Sequence, residues 1–74
     1  MHVIIKLFAT LREGRFEEKI MDFPEGVNIE QVIRQIDLPE KVVSLIFVNG
    51  RHADFNSPVY EGDTVSIFPP VGGG

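Results

Sequence analysis

Few groups in this sequence are able to do chemistry. Among 74 residues there are two histidines, His2 and His52, eleven acidic side chains and no cysteine. Without cysteine there is no thiol nucleophile, no thiolate zinc site and no disulfide framework. His2 and His52 lie far apart with no ligand cluster around either, which fits surface histidines better than a metal site. Glu17 and Glu18 are the only adjacent carboxylates. On a strand they point to opposite faces, a poor geometry for shared acid–base work. Gly26, Gly50 and Gly62 sit where turns are needed, and no glycine loop of the phosphate-cradling kind is present.

The remaining candidate is the end of the chain, Pro69-Pro70-Val71-Gly72-Gly73-Gly74. Pro69 and Pro70 favour an extended polyproline conformation that directs the last four residues away from the body. Glycine loses the most backbone entropy on ordering, so Gly72, Gly73 and Gly74 are expected to form a mobile tail, residues 71–74, on a domain of residues 1–70. At ~3.3–3.6 Å per residue the stretch from Pro69 onward reaches about 20 Å. A tail with no side chains fits a narrow channel and carries one useful group there, the terminal carboxylate. The bland alternative is a frayed end or a cloning scar. The strand-Pro-Pro-Val lead-in and the lack of any affinity tag weigh against it.

The elements that must present such a tail emerge from composition and pattern. The chain is 43% hydrophobic and 24% charged, a composition that folds, and its length allows one small core. A net charge of −4 argues against a nucleic-acid binder. No apolar run approaches the ~20 residues of a membrane span, and the start of the chain lacks secretory-signal features, so a cytoplasmic protein is the default expectation. Val3 to Ala9 reads as a strand with Val3, Ile5, Leu7 and Ala9 on one side. Thr10 to Arg15 reads as a polar loop and Phe16 to Phe23 as a second strand pairing back as a hairpin. Asn28 and Gln31 have capping-box spacing, and Val27 and Val32 have staple spacing. Ile29, Val32, Ile33 and Ile36 form one apolar helix stripe that Leu38-Pro39 ends. Leu45 to Val48, the turn Asn49-Gly50 and Arg51 to Ala53 read as a hairpin. Thr64 to Phe68 is the last strand, stopped by Pro69-Pro70. One helix covers one face of a small mixed sheet, which is a two-layer α+β domain. The apolar first and last strands belong side by side in its middle, in parallel.

The uncovered sheet face is either solvated or a docking surface. Alternation puts Lys6 and Phe8 on that side of the first strand, Ser66 and Phe68 on that side of the last, and Phe47 beside them. Phe8, Phe47 and Phe68 are thus expected to form one exposed aromatic patch, the kind of surface that marks a partner site.

Leu7-Phe8-Ala9-Thr10-Leu11-Arg12-Glu13 and Phe68-Pro69-Pro70-Val71-Gly72-Gly73-Gly74 together resemble the ubiquitin-like sulfur carriers of the MoaD/ThiS family. The nearer likeness is to the small subunit of molybdopterin synthase, whose chains end Phe-Pro-Pro-Val, one variable residue and Gly-Gly. Here Gly72 takes the variable place. The resemblance spans the whole chain and implies a β-grasp fold. It also implies a chemistry in which the Gly74 carboxylate is adenylated by an adenylyltransferase of the ubiquitin-activating type, with ATP and magnesium used by that partner. Sulfur then replaces the adenylate to leave a thiocarboxylate. The resemblance further implies a carrier that binds no permanent cofactor or metal and is not itself an enzyme. It implies partners as well: the adenylyltransferase, and the molybdopterin synthase large subunit or another sulfur-accepting enzyme. The aromatic patch, Pro69, Pro70 and Arg12 of the Leu-Arg-Glu segment would face those partners. Three other functions fit the same chain: a carrier for thiamine or other sulfur-metabolite synthesis, a protein modifier joining Gly74 to lysines, and an inert binding module.

Overall fold

The computed structural model describes residues 1–70. The strands are β1 (His2–Leu7), β2 (Glu18–Asp22), β3 (Leu45–Val48), β4 (Arg51–Ala53) and β5 (Thr64–Phe68). The one α-helix is α1 (Ile29–Gln35). The strands form a single mixed sheet in the order β2-β1-β5-β3-β4. β1 and β5 pair in parallel next to the sheet centre, and the other pairings are antiparallel. This is the β-grasp arrangement.

The core lies between α1 and one face of the sheet. Val3, Ile5, Leu7, Val65 and Ile67 are fully buried there against Ile29, Val32 and Ile33 of the helix. Parity explains the pattern: every second residue of β1 and β5 points to the helix, so three apolar positions of β1 and two of β5 do most of the filling. The helix is only seven residues long and depends on its ends. Asn28 Oδ1 accepts from Gln31 N at 3.0 Å and Gln31 Oε1 accepts from Asn28 N at 2.9 Å, the predicted capping box. Ile29 N and Glu30 N donate to Ser57 O and Phe55 O, both at 3.0 Å. The orphan amides of the first turn are therefore used to stitch the helix to the loop before β5.

Several expectations shift near the first hairpin. β1 stops at Leu7 rather than Ala9, because Ala9 is left-handed at φ 53° and turns the chain out of the sheet. Ala9–Arg12 form a 3₁₀ turn, not a polar loop, and Leu11 within it is buried at the sheet end. β2 is shorter than Phe16 to Phe23. Phe16 packs partly against the core and Phe23 is buried, each just outside the paired stretch. Glu17 precedes β2, and its carbonyl accepts from Leu7 N at 2.9 Å. A second 3₁₀ turn, Glu40–Val42, carries the chain from α1 to β3.

The Asn49-Gly50 turn is left-handed at both residues, φ 52° and 81°, as a two-residue hairpin requires. Asn49 also bridges to the start of β5: its Nδ2 donates to Asp63 Oδ1, and its Oδ1 accepts from Thr64 N, both at 2.9 Å. Asn49→Ala removes both bonds and the residue type that tolerates this φ, so a loss of about 2 kcal/mol is expected in urea unfolding. Asn49→Gly keeps the turn, and its loss should be smaller.

At the start of β1, His2 N donates to Glu61 Oε1 at 2.8 Å. His2 Nε2 lies 3.1 Å from Asp22 and Nδ1 3.4 Å from Glu61. The backbone hydrogen bond from His2, assisted by the nearby imidazole, holds the Glu61 carboxyl below the usual carboxylate range. A lowered folded-state pKa contributes stability above the ordinary value, and that contribution is lost as pH falls through the lowered one. Glu61→Gln is therefore expected to flatten the acid limb of the stability–pH curve and leave the neutral-to-alkaline limb parallel to the parent, measured by urea midpoints across pH.

Candidate functional site

The face of the sheet away from α1 carries the three phenylalanines expected there, in mutual contact. Phe8 and Phe68 stack with ring centroids 4.3 Å apart and planes at 10°. Phe47 meets Phe68 edge-on at 5.7 Å and 87°. His52 meets Phe47 edge-on at 5.9 Å and 84°. Register brings them together. Phe47 pairs with Ser66 on β5 and with His52 on β4, so its ring shares a face with both neighbours. Phe8 lies just past β1, yet its amide donates to Ile67 O at 3.2 Å and so prolongs the alignment with β5. All three phenylalanines are half-buried and their rings are in contact.

Arg12 extends the stack at the Phe8 end. Its guanidinium carbon lies 5.2 Å from the Phe8 ring centroid, its Nε donates to Leu7 O at 2.7 Å, and Nη1 is 3.8 Å from Glu17 Oε1. The 3₁₀ turn found in place of the expected loop is what folds Arg12 back over the ring. The result is a continuous file, Arg12–Phe8–Phe68–Phe47–His52, running across the sheet with a cation at one end and an imidazole at the other. Lys6, in the middle of the same face, is 3.9 Å from Glu18.

Two residues of this face were not assigned to it from the sequence. Leu45 pairs directly with Phe68 and is 38% exposed, and His52 ends the file. Leu45 has the same parity as Phe47, so alternation contained the signal. His52 needed the β3–β4 register. Away from the file, Ile20 on β2 is also exposed, opposite Ile4. Among the described residues no group of three or more histidine and acidic side chains is placed to hold a metal. Among them, too, no helix is long and apolar enough to cross a membrane.

Phe68 leads directly into Pro69, which is half-buried, and Pro70, which is exposed. The base of the tail thus rises from the aromatic file itself. Val71, Gly72, Gly73 and Gly74, with the mobility and carboxylate chemistry expected of them, lie outside the described residues.

The family model described as the ThiS family matches residues 5–74, nearly the full chain, including the terminal glycines. The chain belongs to the ThiS family. As a ThiS-family protein it is a ubiquitin-like, non-catalytic protein of the sulfur-carrier type. It is similar to a solved structure from Pyrococcus furiosus described as molybdopterin converting factor, subunit 1, with 31% identity, a TM-score of 0.79, and coverage of 96% of this chain and 99% of that one. It is also similar, at 25% identity and a TM-score of 0.69 with both chains fully covered, to a Helicobacter pylori structure described as a complex of subunits 1 and 2 of molybdopterin-converting factor. Small archaeal modifier protein 1 of Haloferax volcanii shares the fold at 22% identity, with a TM-score of 0.78 over 95% of this chain and 98% of that one. The comparison with curated proteins found no match.

Proposed function

We propose that this ThiS-family protein carries sulfur as a thiocarboxylate on Gly74 and donates it in molybdopterin assembly in the cytoplasm. The observation that carries this reading is the family match running through Gly74 on a body whose aromatic file is centred on Phe68, the residue that leads into the base of the tail. A free carboxylate is a poor electrophile because its leaving group is poor. Transfer of AMP from ATP to the Gly74 carboxylate, with release of pyrophosphate, makes a mixed anhydride. Attack by sulfide (HS−) supplied by the sulfur donor forms the C–S bond, breaks the acyl–phosphate bond to expel AMP, and after loss of a proton leaves the thiocarboxylate. The nucleotide, magnesium and sulfur donor belong to the adenylyltransferase partner. Gly72 and Gly73 let the tail thread a narrow site, while Pro69 and Pro70 hold its base extended.

The sulfur-accepting partner in this reading is a molybdopterin synthase large subunit, by similarity to the Helicobacter pylori protein described as a complex of subunits 1 and 2. Docking uses the aromatic file, with Phe8, Phe47 and Phe68 as apolar anchors and Arg12 at the rim. A file held by its own ring contacts loses little entropy on binding.

The test is pyrophosphate exchange with an adenylyltransferase from the same genome. ATP–pyrophosphate exchange that requires this chain, followed by sulfur transfer to a pterin precursor in the presence of the large subunit, supports the proposal. Sulfur transfer to a thiazole or amino-acid precursor instead would move the protein to another pathway. Gly74-linked adducts on lysines would make it a modifier, and no exchange with a demonstrably active partner would leave only a binding module.

A further inference from the structure

A second surface lies around the sheet edge from the aromatic file. A groove of about 670 Å³ runs between β4 and the loop before β5, lined by Arg51, His52, Ala53, Pro58 and Tyr60 among others. Its walls are held in place. Ser57 O accepts from Ile29 N at 3.0 Å and Val59 N donates to Val27 O at 3.2 Å, so the loop is fastened to the helix start. β4 is the outermost strand on that side.

The groups in this groove differ in whether they are already engaged. Asp63 is spent: Oδ1 accepts from Asn49 Nδ2 at 2.9 Å and Oδ2 from Tyr60 N at 2.8 Å. Ser57 Oγ accepts from Asp54 N at 3.0 Å. The ion pairs among the described residues engage His2, Lys6, Arg12 and Arg34, and none engages Arg51, in a chain with eleven acidic and seven basic residues. The Tyr60 side chain sits out at 65% exposure.

The backbone of β4 adds a donor and an acceptor. The two-residue turn closes on the Val48–Arg51 pair, so the next pair, Phe47–His52, is of the non-hydrogen-bonded type. Asn49 N bonding to Thr64 O at 2.9 Å fits this, because it places the Phe47 backbone groups toward β5. The His52 N–H and C=O therefore point to the open edge.

We propose that this groove docks an extended acidic segment of a partner protein. The segment adds beside β4 through His52, places a carboxylate on Arg51 and lays an apolar side chain on Tyr60 and Pro58. Strand addition supplies the backbone pairing and the alternate side chains supply selectivity. His52 joins the two surfaces, since its ring packs on Phe47 while the residue lines the groove. A partner seated on the aromatic file is thus within reach of the groove. The inference goes beyond the sulfur-carrier reading and does not need the tail.

The test is an NMR titration of the ¹⁵N-labelled chain at low salt, using a capped pentapeptide of alternating leucine and glutamate, with its leucine–lysine counterpart as control. The expected result is saturable amide shifts at Arg51, His52, Ala53 and Tyr60 with the glutamate peptide, weakened at high salt, absent with the lysine peptide and at least tenfold weaker in Arg51→Glu. Arg51 is exposed, so that variant keeps the fold. Leu45→Asp, which alters the aromatic face, should leave this titration unchanged, so failure here is separable from failure of the docking face. No shift in the groove, an equal response to the lysine peptide, or indifference to Arg51→Glu would each overturn the proposal.

Discussion

Removal of Gly74 alone is expected to abolish adenylate formation on this chain and to leave its unfolding free energy within about 0.5 kcal/mol of the parent. The two halves of that result have separate causes. Among the described residues every buried core residue lies in the stretch up to Ile67, so the sheet and helix contacts are expected to survive the deletion. The group activated in the proposed chemistry, by contrast, is a particular carboxylate at a particular reach. A chain ending at Gly73 presents it one residue, about 3.5 Å, short of the nucleotide, and misplacement of that size is ruinous for a reaction that depends on positioning. Pyrophosphate exchange reads the first half and urea denaturation the second. A shortened chain that is still activated at the parent rate would mean that Gly74 is not the acceptor.

Phe68→Ala is expected to weaken binding to the partner about 30-fold, which corresponds to roughly 2 kcal/mol. It should also destabilise the chain by about 2 kcal/mol. The reason is geometric: Phe68 is the middle of the file, stacked on Phe8 and met edge-on by Phe47, and each aromatic contact contributes about 0.5–1.5 kcal/mol. Strand parity alone, which puts Phe68 on the uncovered face, predicts a ring whose loss weakens docking more than it lowers stability. Its half-burial against two other rings makes the two losses comparable. Leu45→Asp separates them, because Leu45 lies beside Phe68 on the same face yet remains 38% exposed. That variant should lose at least tenfold in partner affinity, by calorimetry, with little change in urea midpoint. Unchanged affinity in both variants would move the docking surface elsewhere.

How much of this was legible in the sequence depends on the range of the interactions involved. The helix was legible because Asn28, Gln31 and the Ile29–Val32–Ile33 stripe are local signals. The Asn49-Gly50 hairpin was legible for the same reason. The parallel β1–β5 pair came from counting apolar residues, and the outward placement of Phe8, Phe47 and Phe68 came from strand parity. The Thr10 to Arg15 segment was misread because its composition is polar around one residue, Leu11, whose burial depends on tertiary contact and on a left-handed Ala9 that propensity disfavours. The clasp of Arg12 over Phe8 depends on that same turn. His52 and the groove beside β4 are products of cross-strand register and of the Ser57–Tyr60 loop's attachment to α1, which no local window contains. The tail is the reverse case. Its chemistry is read from Gly72, Gly73 and Gly74 and from the family match, and the fold contributes the platform from which it starts.

The most direct measurement is the intact mass of the chain after incubation with its adenylyltransferase, ATP, magnesium and a sulfur donor. The account predicts a single product heavier by the difference between one sulfur and one oxygen, localised by fragmentation to Gly74 and absent without ATP. An unchanged mass beside a partner shown to be active, or the sulfur found on any other residue, would contradict it.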